Sequence, residues 1–485
     1  MLRHIKFILN NELIEADVNP AAVILDFIRD NQLTGTKEGC KEGDCGACTV
    51  LIGELKGGIK GELKNNEVVY KSINSCLFPL GNVHGKHVVT IEGINQPGKE
   101  LTPIQQAFVE QGASQCGFCT PGFIISLTGY LLSSDNLDAT EALYSMDGNI
   151  CRCTGHNSII RAAQSITSKF NKLTGHDGSK IEVLTDYGFI PDYFVSIKDR
   201  LSKIEKANFH RETNGASSYF VSGGSDLFVQ IPDVMMKSTV SFLYDNPEIN
   251  FIREENGLIF IGSTSTVNEV LNSKIMLKYF PSLFNFIELF GSLPIRNSAT
   301  IGGNLNNASP IGDMTSFFLG LNSTIVLADQ NDNQREISMR DYYLSYKKTA
   351  RNGDEYMKYL YFKIPNKKYF FNFEKVSKRT YLDIASVNST MLIEMNGEVI
   401  NDVHISAGGV SAIPLYLKKT REYLLNKNLS ADVIKEAIEI SQTEITPISD
   451  ARGAAEYKKL LCKRLIYSHF VKLFPELISI KDTVE

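Results

Sequence analysis

The nine cysteines of this 485-residue chain are the side chains with the most evident chemistry. Eight of them fall between Cys40 and Cys153, and Cys462 stands alone near the other end of the chain. Clustered cysteines in a long chain without a secretory leader favour metal or redox chemistry over structural disulfides. Cys462 lies in a run with helical character, 458–470, and we expect it to be a buried small hydrophobe.

The first group of cysteines combines Cys40-x4-Cys45-x2-Cys48 with a more distant Cys76. This is the spacing of plant-type 2Fe-2S sites, in which one short loop supplies three thiolates and a distant cysteine supplies the fourth. Glycines at 39, 43 and 46 stand between the ligands, where they let the backbone approach the sulfurs. A four-cysteine zinc site is the alternative, although such sites usually carry two C-x2-C pairs and this group has one.

The second group consists of Cys116-x2-Cys119 and the tight pair Cys151-x-Cys153. Alone the Cys-x-Cys pair is weak evidence, but beside the Cys-Gly-Phe-Cys segment it indicates a second four-thiolate site. The alternatives are a zinc site or a CxxC redox disulfide. Neither alternative readily accounts for all four cysteines next to a ferredoxin-type loop.

Glycine-rich turns are the other candidate sites. No Gly-x-Gly-x-x-Gly follows a strand and no Walker A motif is present, so a Rossmann dinucleotide site is unsupported. Two Gly-Gly turns occur in the segments 220–227 (FVSGGSDL) and 300–304 (TIGGN). Consecutive backbone N–H groups at such turns can bind a diphosphate, and Ser225 and Thr300 could add hydroxyl donors. Taken singly, such a turn is usually only a turn.

Local patterns predict the elements that position these residues. Alternation at 4–9 and 13–17 around Asn10-Asn11 predicts a hairpin, and Asn19-Pro20 should open a helix. Further strands are predicted at 68–70 and 88–92. Helices are predicted from Thr102-Pro103 to 111, from 120 to 132, from 138 to 144 and from 158 to 170. The polar stretch 172–190 predicts a linker, and mixed strands and helices follow it.

The amino-acid composition indicates the broad class of protein. The chain is 43% hydrophobic and 22% charged with a net charge of −5, which is typical of globular domains and does not suggest nucleic-acid binding. No apolar run approaches ~18 residues, and the first residues have no long apolar segment, so we expect neither a membrane span nor a signal peptide. A cytoplasmic protein is the resulting expectation.

Three cysteine-bearing segments resemble the iron-sulfur domains of the xanthine oxidase (molybdenum hydroxylase) family. They are 39–48 (GCKEGDCGAC), 115–122 (QCGFCTPG) and 148–155 (GNICRCTG). His156 stands where the family often has tyrosine, a departure that touches no ligand. The resemblance implies that the second cysteine group lies nearest a molybdopterin cofactor toward which Gln115 reaches, and that the first group lies nearer a flavin.

The segments 295–304 (IRNSATIGGN) and 308–313 (ASPIGD) resemble the FAD-binding signature of flavoproteins in the same family. The resemblance implies that two turns and three further residues contact FAD. These residues are Phe220, Val221, Ser222, Gly223, Gly224, Ser225, Asp226, Leu227, Phe290, Thr300, Ile301, Gly302, Gly303, Asn304, Asp313 and Lys375. Lys375 rests on a looser match, and a surface lysine is the alternative there.

The fold that this resemblance implies is an α+β multidomain chain. A β-grasp 2Fe-2S ferredoxin domain (1–95) precedes a helical-bundle 2Fe-2S domain (96–172) and a linker (173–190). An α+β FAD-binding domain of the vanillyl-alcohol-oxidase type (191–370) precedes a C-terminal α/β CO-dehydrogenase-flavoprotein-like domain (371–485). Segments 405–410 and 450–457 resemble the family's C-terminal flavoprotein domain. The resemblance implies that this domain serves packing and assembly.

The function that the resemblance implies is electron transfer. A partner large subunit holds molybdopterin and oxidises hypoxanthine or xanthine to urate, and electrons pass through the second cluster, the first cluster and FAD to NAD+. The implied assembly is a heterotetramer of two small and two large subunits. The alternatives are an aldehyde or N-heterocycle dehydrogenase of the same family, and a flavin-iron-sulfur carrier that serves an unrelated partner.

Overall fold

The fold is that of a computed structural model, which describes residues 2–56, 67–95, 98, 100–134, 137–153, 156–172, 178–205, 219–244, 246–366 and 368–478. The chain forms two compact units. The first unit comprises Met1–Tyr244 together with the short insert Ser292–Ser298, and the second unit comprises Asp245–Gly291 and Ala299–Glu485.

A five-stranded sheet opens the first unit, in the order β2-β1-β5-β3-β4. Strands β1 and β5 pair in parallel and the other neighbours are antiparallel. Helix α1 and the short helix α2 accompany the sheet, which confirms the predicted β-grasp domain and its opening hairpin. The elements are β1 (Arg3–Leu9), β2 (Glu12–Val18), α1 (Ile24–Asp30), β3 (Thr49–Lys56), β4 (Glu67–Asn74), β5 (His87–Val89) and α2 (Ile91–Ile94).

Two predictions in this domain are wrong in detail. Helix α1 begins at Ile24 rather than at Pro20, because Asn19 forms a turn in which its side-chain oxygen accepts a hydrogen bond from the Ala21 N–H. The strand predicted at 88–92 ends at Val89, and the chain then turns into α2.

Helices form the next part of the first unit and confirm the predicted bundle. Thr102 caps α3 in a capping box with Gln105, and Asp138 caps α5. Helix α4 is buried on nearly every face and lies at the centre of the apolar core. The helices are α3 (Pro103–Glu110), α4 (Thr120–Ser133), α5 (Ala139–Tyr144), α6 (Asn157–Asn171), α7 (Lys180–Asp186) and α8 (Phe194–Ser202).

The second half of the predicted linker is part of this helical core. Residues 173–177 lie outside the described residues, but Ser179 caps α7 in a capping box with Glu182. Leu184, Phe189 and Ile190 are buried among the core side chains of the bundle. Because residues 175–180 are polar, the sequence indicated a linker and not this apolar packing.

The first unit ends with a small parallel strand pair and a chain insert. The pair β6 and β7 flanks two short helices, and α14 joins this unit although it lies later in the chain. The elements are β6 (Tyr219–Val221), α9 (Leu227–Gln230), α10 (Pro232–Lys237) and β7 (Val240–Phe242), and later α14 (Leu293–Ser298).

The second unit contains an antiparallel sheet in the order β11-β10-β14-β9-β8, with short helices around it. A separate two-stranded pair, β12 and β13, follows α17. The elements are β8 (Ile252–Glu255), β9 (Leu258–Gly262), α11 (Val267–Leu271), α12 (Lys274–Tyr279), α13 (Leu283–Ile287), α15 (Ile301–Asn306), α16 (Asp313–Gly320), β10 (Thr324–Ala328), β11 (Gln334–Ser338), α17 (Met339–Tyr342), β12 (Tyr343–Ser345), β13 (Lys348–Thr349) and β14 (Tyr356–Lys363).

A four-stranded antiparallel sheet, β15-β16-β17-β18, and three helices complete the second unit. Helix α20 packs on β15 and β16, and its Cys462 is fully buried in the apolar core, as predicted. The elements are β15 (Tyr369–Val376), β16 (Val387–Asn396), β17 (Val399–Gly408), β18 (Leu415–Tyr416), α18 (Lys418–Leu424), α19 (Ala431–Gln442) and α20 (Ala455–Leu473).

His469 makes the stability of this last region depend on pH. Its buried ring accepts a hydrogen bond from Asn372 Nδ2 at 2.9 Å and lies 3.0 Å from Ser389 Oγ, and burial lowers its pKa to about 4. Between that value and ~6.5 the unfolded chain binds one more proton than the folded chain, so acid destabilises the fold. We expect a loss of about 2–3 kcal/mol between pH 7 and pH 4.5 from this residue.

Urea unfolding of the wild type and of His469→Gln at both pH values checks this expectation. The variant cannot bind the extra proton, so its unfolding midpoint should fall less on acidification. Equal pH dependence in the two proteins would mean that His469 is not the source.

Candidate functional site

The first four-cysteine group lies at one end of the β-grasp sheet. Cys40 and Cys45 lie in the loop between α1 and β3, Cys48 immediately precedes β3, and Cys76 follows β4. The sulfurs form two pairs: Cys48 Sγ lies 3.3 Å from Cys76 Sγ, and the Cys40 and Cys45 thiols are hydrogen-bonded to each other. Cys48 and Cys76 are buried, whereas Cys40 and Cys45 are half-buried.

Pairing of the sulfurs fits a cluster with two metal ions. Two sulfurs bonded tetrahedrally to one ion at ~2.3 Å lie about 3.8 Å apart, close to the observed separation. The nine cysteines are all free thiols, so no pair is a disulfide. The paired sulfurs therefore fit two thiolates for each of two irons.

Backbone N–H groups of the loop point at the sulfurs, as the sequence predicted. The Cys40 N–H donates to Cys45 Sγ and the Glu42 N–H donates to Cys40 Sγ, both at 3.4 Å. The hydrogen bond from Cys45, together with these N–H groups, lowers the pKa of Cys40 to about 5, against the effect of burial. The same pairing raises the pKa of Cys45. The loop thus stabilises negative charge on sulfur, which a bound cluster requires.

The second group lies in the helical bundle. Cys119 stands at the N-terminus of α4, Cys116 lies three residues before it, and Cys151 and Cys153 lie between α5 and α6. Cys153 Sγ is 3.6 Å from Cys116 Sγ, and Cys119 is hydrogen-bonded to Cys151, so these thiols also form two pairs. Burial, followed by the bond to Cys151, raises the pKa of Cys119 to about 12. Cys116 and Cys153 are exposed at the surface of the first unit.

The loops of the two groups contact each other within the first unit. The Ile150 N–H donates to the Cys45 carbonyl at 3.0 Å, and Asn149 Nδ2 donates to the Gly46 carbonyl at 3.0 Å. At Gly46, where φ is +66°, an added Cβ would lie 2.2 Å from the Gly148 carbonyl oxygen. Glycine is therefore required at this position, because the backbone has a positive φ and the Gly148 carbonyl leaves no room for a side chain.

Gly46→Ala should weaken this contact far more than Gly117→Ala. Both glycines have positive φ, so each substitution costs about 1–2 kcal/mol of backbone strain. Only Gly46 faces a close neighbour, because a Cβ at Gly117 would meet nothing within 4 Å. The clash should add about 1–3 kcal/mol.

Thermal midpoints and the iron and acid-labile sulfide content per chain measure this difference. Gly46→Ala should show the larger fall in both. Similar losses in the two variants would show that strain alone matters and that the contact between the loops does not.

The predicted flavin turns belong to different units. The turn that follows β6 lies in the first unit, where Gly224 has φ of +81° and an added Cβ would lie 3.3 Å from the Leu77 carbonyl oxygen. The turn at 300–304 lies in the second unit, where Thr300 caps α15 through a hydrogen bond from the Gly303 N–H at 3.2 Å. The Thr300 hydroxyl oxygen therefore has a structural role as a helix cap, and its contact with the diphosphate stays a prediction.

Each turn, taken by itself, contains a buried polar atom without a partner among the described residues. Ser222 Oγ and Asn304 Oδ1 are buried and have no hydrogen-bond partner within the described protein. Buried polar groups usually have partners, so such exceptions indicate a partner that the protein itself does not supply. Both residues are among the predicted FAD contacts, and a hydroxyl and an amide suit the polar parts of that cofactor.

Lys375 is buried in the second unit, so the surface-lysine alternative is wrong. Its side chain is 1% exposed, and its Nζ lies 2.7 Å from Asp313 Oδ2 and 2.6 Å from the Leu289 carbonyl oxygen. Asn388 Nδ2 donates to the other Asp313 oxygen at 2.7 Å. The structure thus brings the predicted residues Asp313 and Lys375 into one network, and the third, Phe290, is the chain neighbour of Leu289.

Sequence reasoning missed several polar residues that complete these sites. Asn388 is buried on β16 beside the polar residues Ser389 and Thr390, so the sequence carries no signal that distinguishes it. In the first unit, Arg296 Nη2 lies 2.6 Å from Asp147 Oδ2, and the Leu293 N–H donates to the same carboxylate at 2.7 Å. Burial raises the pKa of Asp147, which the Arg296 guanidinium opposes. This ion pair fixes α14 beside the second cysteine loop.

Four family models match the chain. A 2Fe-2S iron-sulfur cluster binding domain covers residues 7–80, and a [2Fe-2S] binding domain covers 90–164. The FAD binding domain in molybdopterin dehydrogenase covers 201–366, and the CO dehydrogenase flavoprotein C-terminal domain covers 372–473. The chain therefore has two 2Fe-2S-binding domains and an FAD-binding domain.

Similar full-length sequences include xanthine dehydrogenase 1 of Arabidopsis thaliana, which is 28% identical over 92% of this chain. Xanthine dehydrogenase of Dictyostelium discoideum is 25% identical over 98% of this chain. The chain spans 38% and 41% of the lengths of these two relatives.

A solved chain of carbon monoxide dehydrogenase from Hydrogenophaga pseudoflava, in a form that lacks the Mo-pyranopterin moiety of its molybdenum cofactor, also aligns with this one. The alignment covers 54% of this chain and 91% of that chain, with 21% identity and a TM-score of 0.50, and so concerns the fold alone. Within the described residues, no helix has both the length and the apolar composition needed to cross a membrane.

Proposed function

We propose, on the premise that this chain is an iron-sulfur and FAD subunit of the xanthine dehydrogenase type, that it transfers electrons from a molybdenum site on a partner to FAD and on to NAD+. The reaction that it serves in this proposal is the oxidation of hypoxanthine and xanthine to urate. The observation that carries the proposal is the contact between two four-cysteine loops, each with paired thiols, inside one compact unit.

The cofactors supply the redox chemistry: the clusters exchange single electrons, and FAD exchanges two with a nicotinamide. The chain's own residues hold and tune these groups. Each cysteine pair would hold one iron of a bound cluster through two thiolates, and loop N–H groups favour negative charge on the sulfurs of the first group. In the second unit, Lys375 and Asn388 neutralise and orient Asp313, which we assign to the flavin site.

A molybdenum-binding large subunit is the proposed partner. The family models that match describe iron-sulfur and flavin domains, and the chain accounts for about two-fifths of the length of its xanthine dehydrogenase relatives. We assign the molybdopterin and the purine pocket to that separate chain, in an assembly of two small and two large subunits. We place the complex in the cytoplasm, because clustered cysteines that serve metal chemistry rather than disulfides are typical of reducing compartments.

Another molybdenum hydroxylase is the second candidate, with an aldehyde or an N-heterocycle as substrate. The matching family models favour keeping it, because they describe an FAD binding domain in molybdopterin dehydrogenase and a CO dehydrogenase flavoprotein C-terminal domain and name no purine. The two candidates share every role assigned here to this chain and differ only in the substrate of the partner.

Purification of the tagged chain from its own host, together with whatever binds it, tests the proposal. Xanthine and NAD+ are added and NADH formation is followed by absorbance. We expect xanthine-dependent NADH in a preparation that contains a large molybdenum-binding chain, FAD and two cluster signals. A preparation with these cofactors that stays inert to xanthine would refute the purine assignment, and aldehydes and N-heterocycles would then be tested.

A further inference from the structure

Asn149 lies between the two cysteine loops and belongs to neither group of thiols. Its side chain is 5% exposed and makes three hydrogen bonds within the first unit. Nδ2 donates to the Gly46 carbonyl at 3.0 Å and to Thr49 Oγ1 at 3.3 Å, and Oδ1 accepts from Ser126 Oγ at 2.7 Å. A buried amide satisfied in this way has a fixed orientation.

The partners of Asn149 are neighbours of ligand cysteines. Gly46 follows Cys45 and Thr49 follows Cys48, so one amide group contacts the backbone of the first residue and the hydroxyl of the second, each beside a member of a different thiol pair in the first group. Ser126 lies on α4, the helix that begins at Cys119 of the second group. Asn149 thus connects the first loop to the helix that carries a ligand of the second.

The backbone beside Asn149 completes the connection. Ile150, the next residue, donates its N–H to the Cys45 carbonyl at 3.0 Å, and Cys151 follows Ile150. A single hydrogen bond therefore joins the backbone of a first-group ligand to the residue before a second-group ligand. Electron transfer between two centres slows steeply with distance and with gaps in the bonded path, so this hydrogen bond offers a short continuous route.

Glycines show how closely the two loops approach. An added Cβ at Gly122 would lie 2.3 Å from the Gly46 carbonyl oxygen and 3.0 Å from Asn149 Nδ2. At Gly46 an added Cβ would lie 2.5 Å from Asn149 Nδ2. The amide of Asn149 is enclosed by backbone on both sides, which leaves it no second position.

We propose that Asn149 is a positioning residue that fixes the spacing of the two 2Fe-2S clusters and preserves the Ile150-to-Cys45 hydrogen bond as the route between them. The proposal rests on the proposed electron-transfer function, but it makes no reference to the substrate. It predicts that loss of the Asn149 amide loosens the contact between the loops while all eight ligand cysteines remain in place.

Asn149→Ala in the purified complex, reduced with dithionite, tests the proposal by magnetic resonance. The splitting that arises from coupling between the two reduced clusters reports their spacing and needs no substrate. We expect a smaller or broadened splitting, faster amide exchange in the peptide that spans 146–152, and electron transfer between the clusters slowed ~10-fold or more, the scale of a lost outer-shell contact.

Asn74→Ala is the matched control, because Asn74 is also buried and its Nδ2 donates to the Gly43 carbonyl at 2.8 Å, but it touches the first loop alone. It should change the signal of the first cluster and leave the splitting unchanged. If Asn149→Ala lost its iron, Ser126→Ala would replace it, since that change keeps Asn149 and removes only the hydroxyl that orients it.

Wild-type splitting and wild-type exchange in an iron-replete Asn149→Ala or Ser126→Ala protein would overturn the proposal. Failure of the proposed function looks different: a complex inert to xanthine would still show the splitting and its response to these variants. The two hypotheses can therefore fail independently.

Discussion

Cys119→Ser is expected to abolish substrate-driven NADH formation while leaving NADH-driven reduction of the flavin largely intact. Cys119 begins α4 and pairs with Cys151, so the substitution leaves one iron of the second site with an oxygen in place of a thiolate. Loss of an outer-shell contact alone costs ~10–100-fold, so loss of a ligand should cost more than ~100-fold. The flavin domain lies in a later part of the chain and contains none of these ligands.

Two assays on the same preparation measure the effect. Under the proposed function, xanthine-dependent NADH formation requires the whole path, whereas reduction of a dye by NADH requires only the flavin half. Iron content and the resonance signals of the two clusters show whether the second site alone is lost. A collapse of flavin content in Cys119→Ser would contradict the expectation, because it would mean that the two halves depend on each other to fold.

Cys462→Ser is the matched control for this substitution. Cys462 is fully buried on α20, and burial raises the pKa of its thiol to about 12, so it is an unreactive packing group. The same chemical change there should leave both cluster signals and the activity per flavin unchanged, with a modest loss of stability from burying a hydroxyl.

Much of the first unit could be predicted because its signals are local. The hairpin turn at Asn10-Asn11, the capping box at Thr102 and the cysteine spacings each need only a few neighbouring residues to specify a conformation. The predicted start of α1 was wrong because the Asn19 side chain accepts a hydrogen bond from the Ala21 N–H and forms a turn there. Val23, the residue before the helix, also forms an isolated bridge with Pro79, a contact between distant parts of the chain that local signals do not indicate.

The polar networks that complete the sites could not be predicted from one sequence. Arg296 and Asp147 are 149 residues apart in the chain, and Asn149 and Gly46 are 103 residues apart. Nothing local marks any of them as partners, since an arginine or an asparagine in a loop is usually solvated. Only the folded chain shows that they are buried together. The same holds for Asn388, whose buried position on β16 gives Asp313 its second partner.

Lys375→Met is expected to destabilise the second unit by about 3–5 kcal/mol, because it leaves the buried carboxylate of Asp313 without its cation. The Lys375 side chain is 1% exposed and that of Asp313 is 10% exposed, so water cannot replace the lost partner. Under the proposed function the variant should also bind FAD more weakly. Urea unfolding of the flavin-free protein and titration with FAD, followed by fluorescence, measure the two effects separately.

The same substitution at Lys358 is the matched control. Lys358 Nζ lies 2.8 Å from Asp332 Oδ2, but Asp332 is 50% exposed, so Lys358→Met should cost less than ~1 kcal/mol. Adding Asp313→Asn to Lys375→Met removes the stranded charge and should restore most of the stability, but not the affinity for FAD, if Lys375 also serves the cofactor. Equal costs at Lys375 and Lys358 would contradict the assignment of a buried ion pair. Full FAD affinity in a destabilised Lys375→Met protein would leave Lys375 a structural role only.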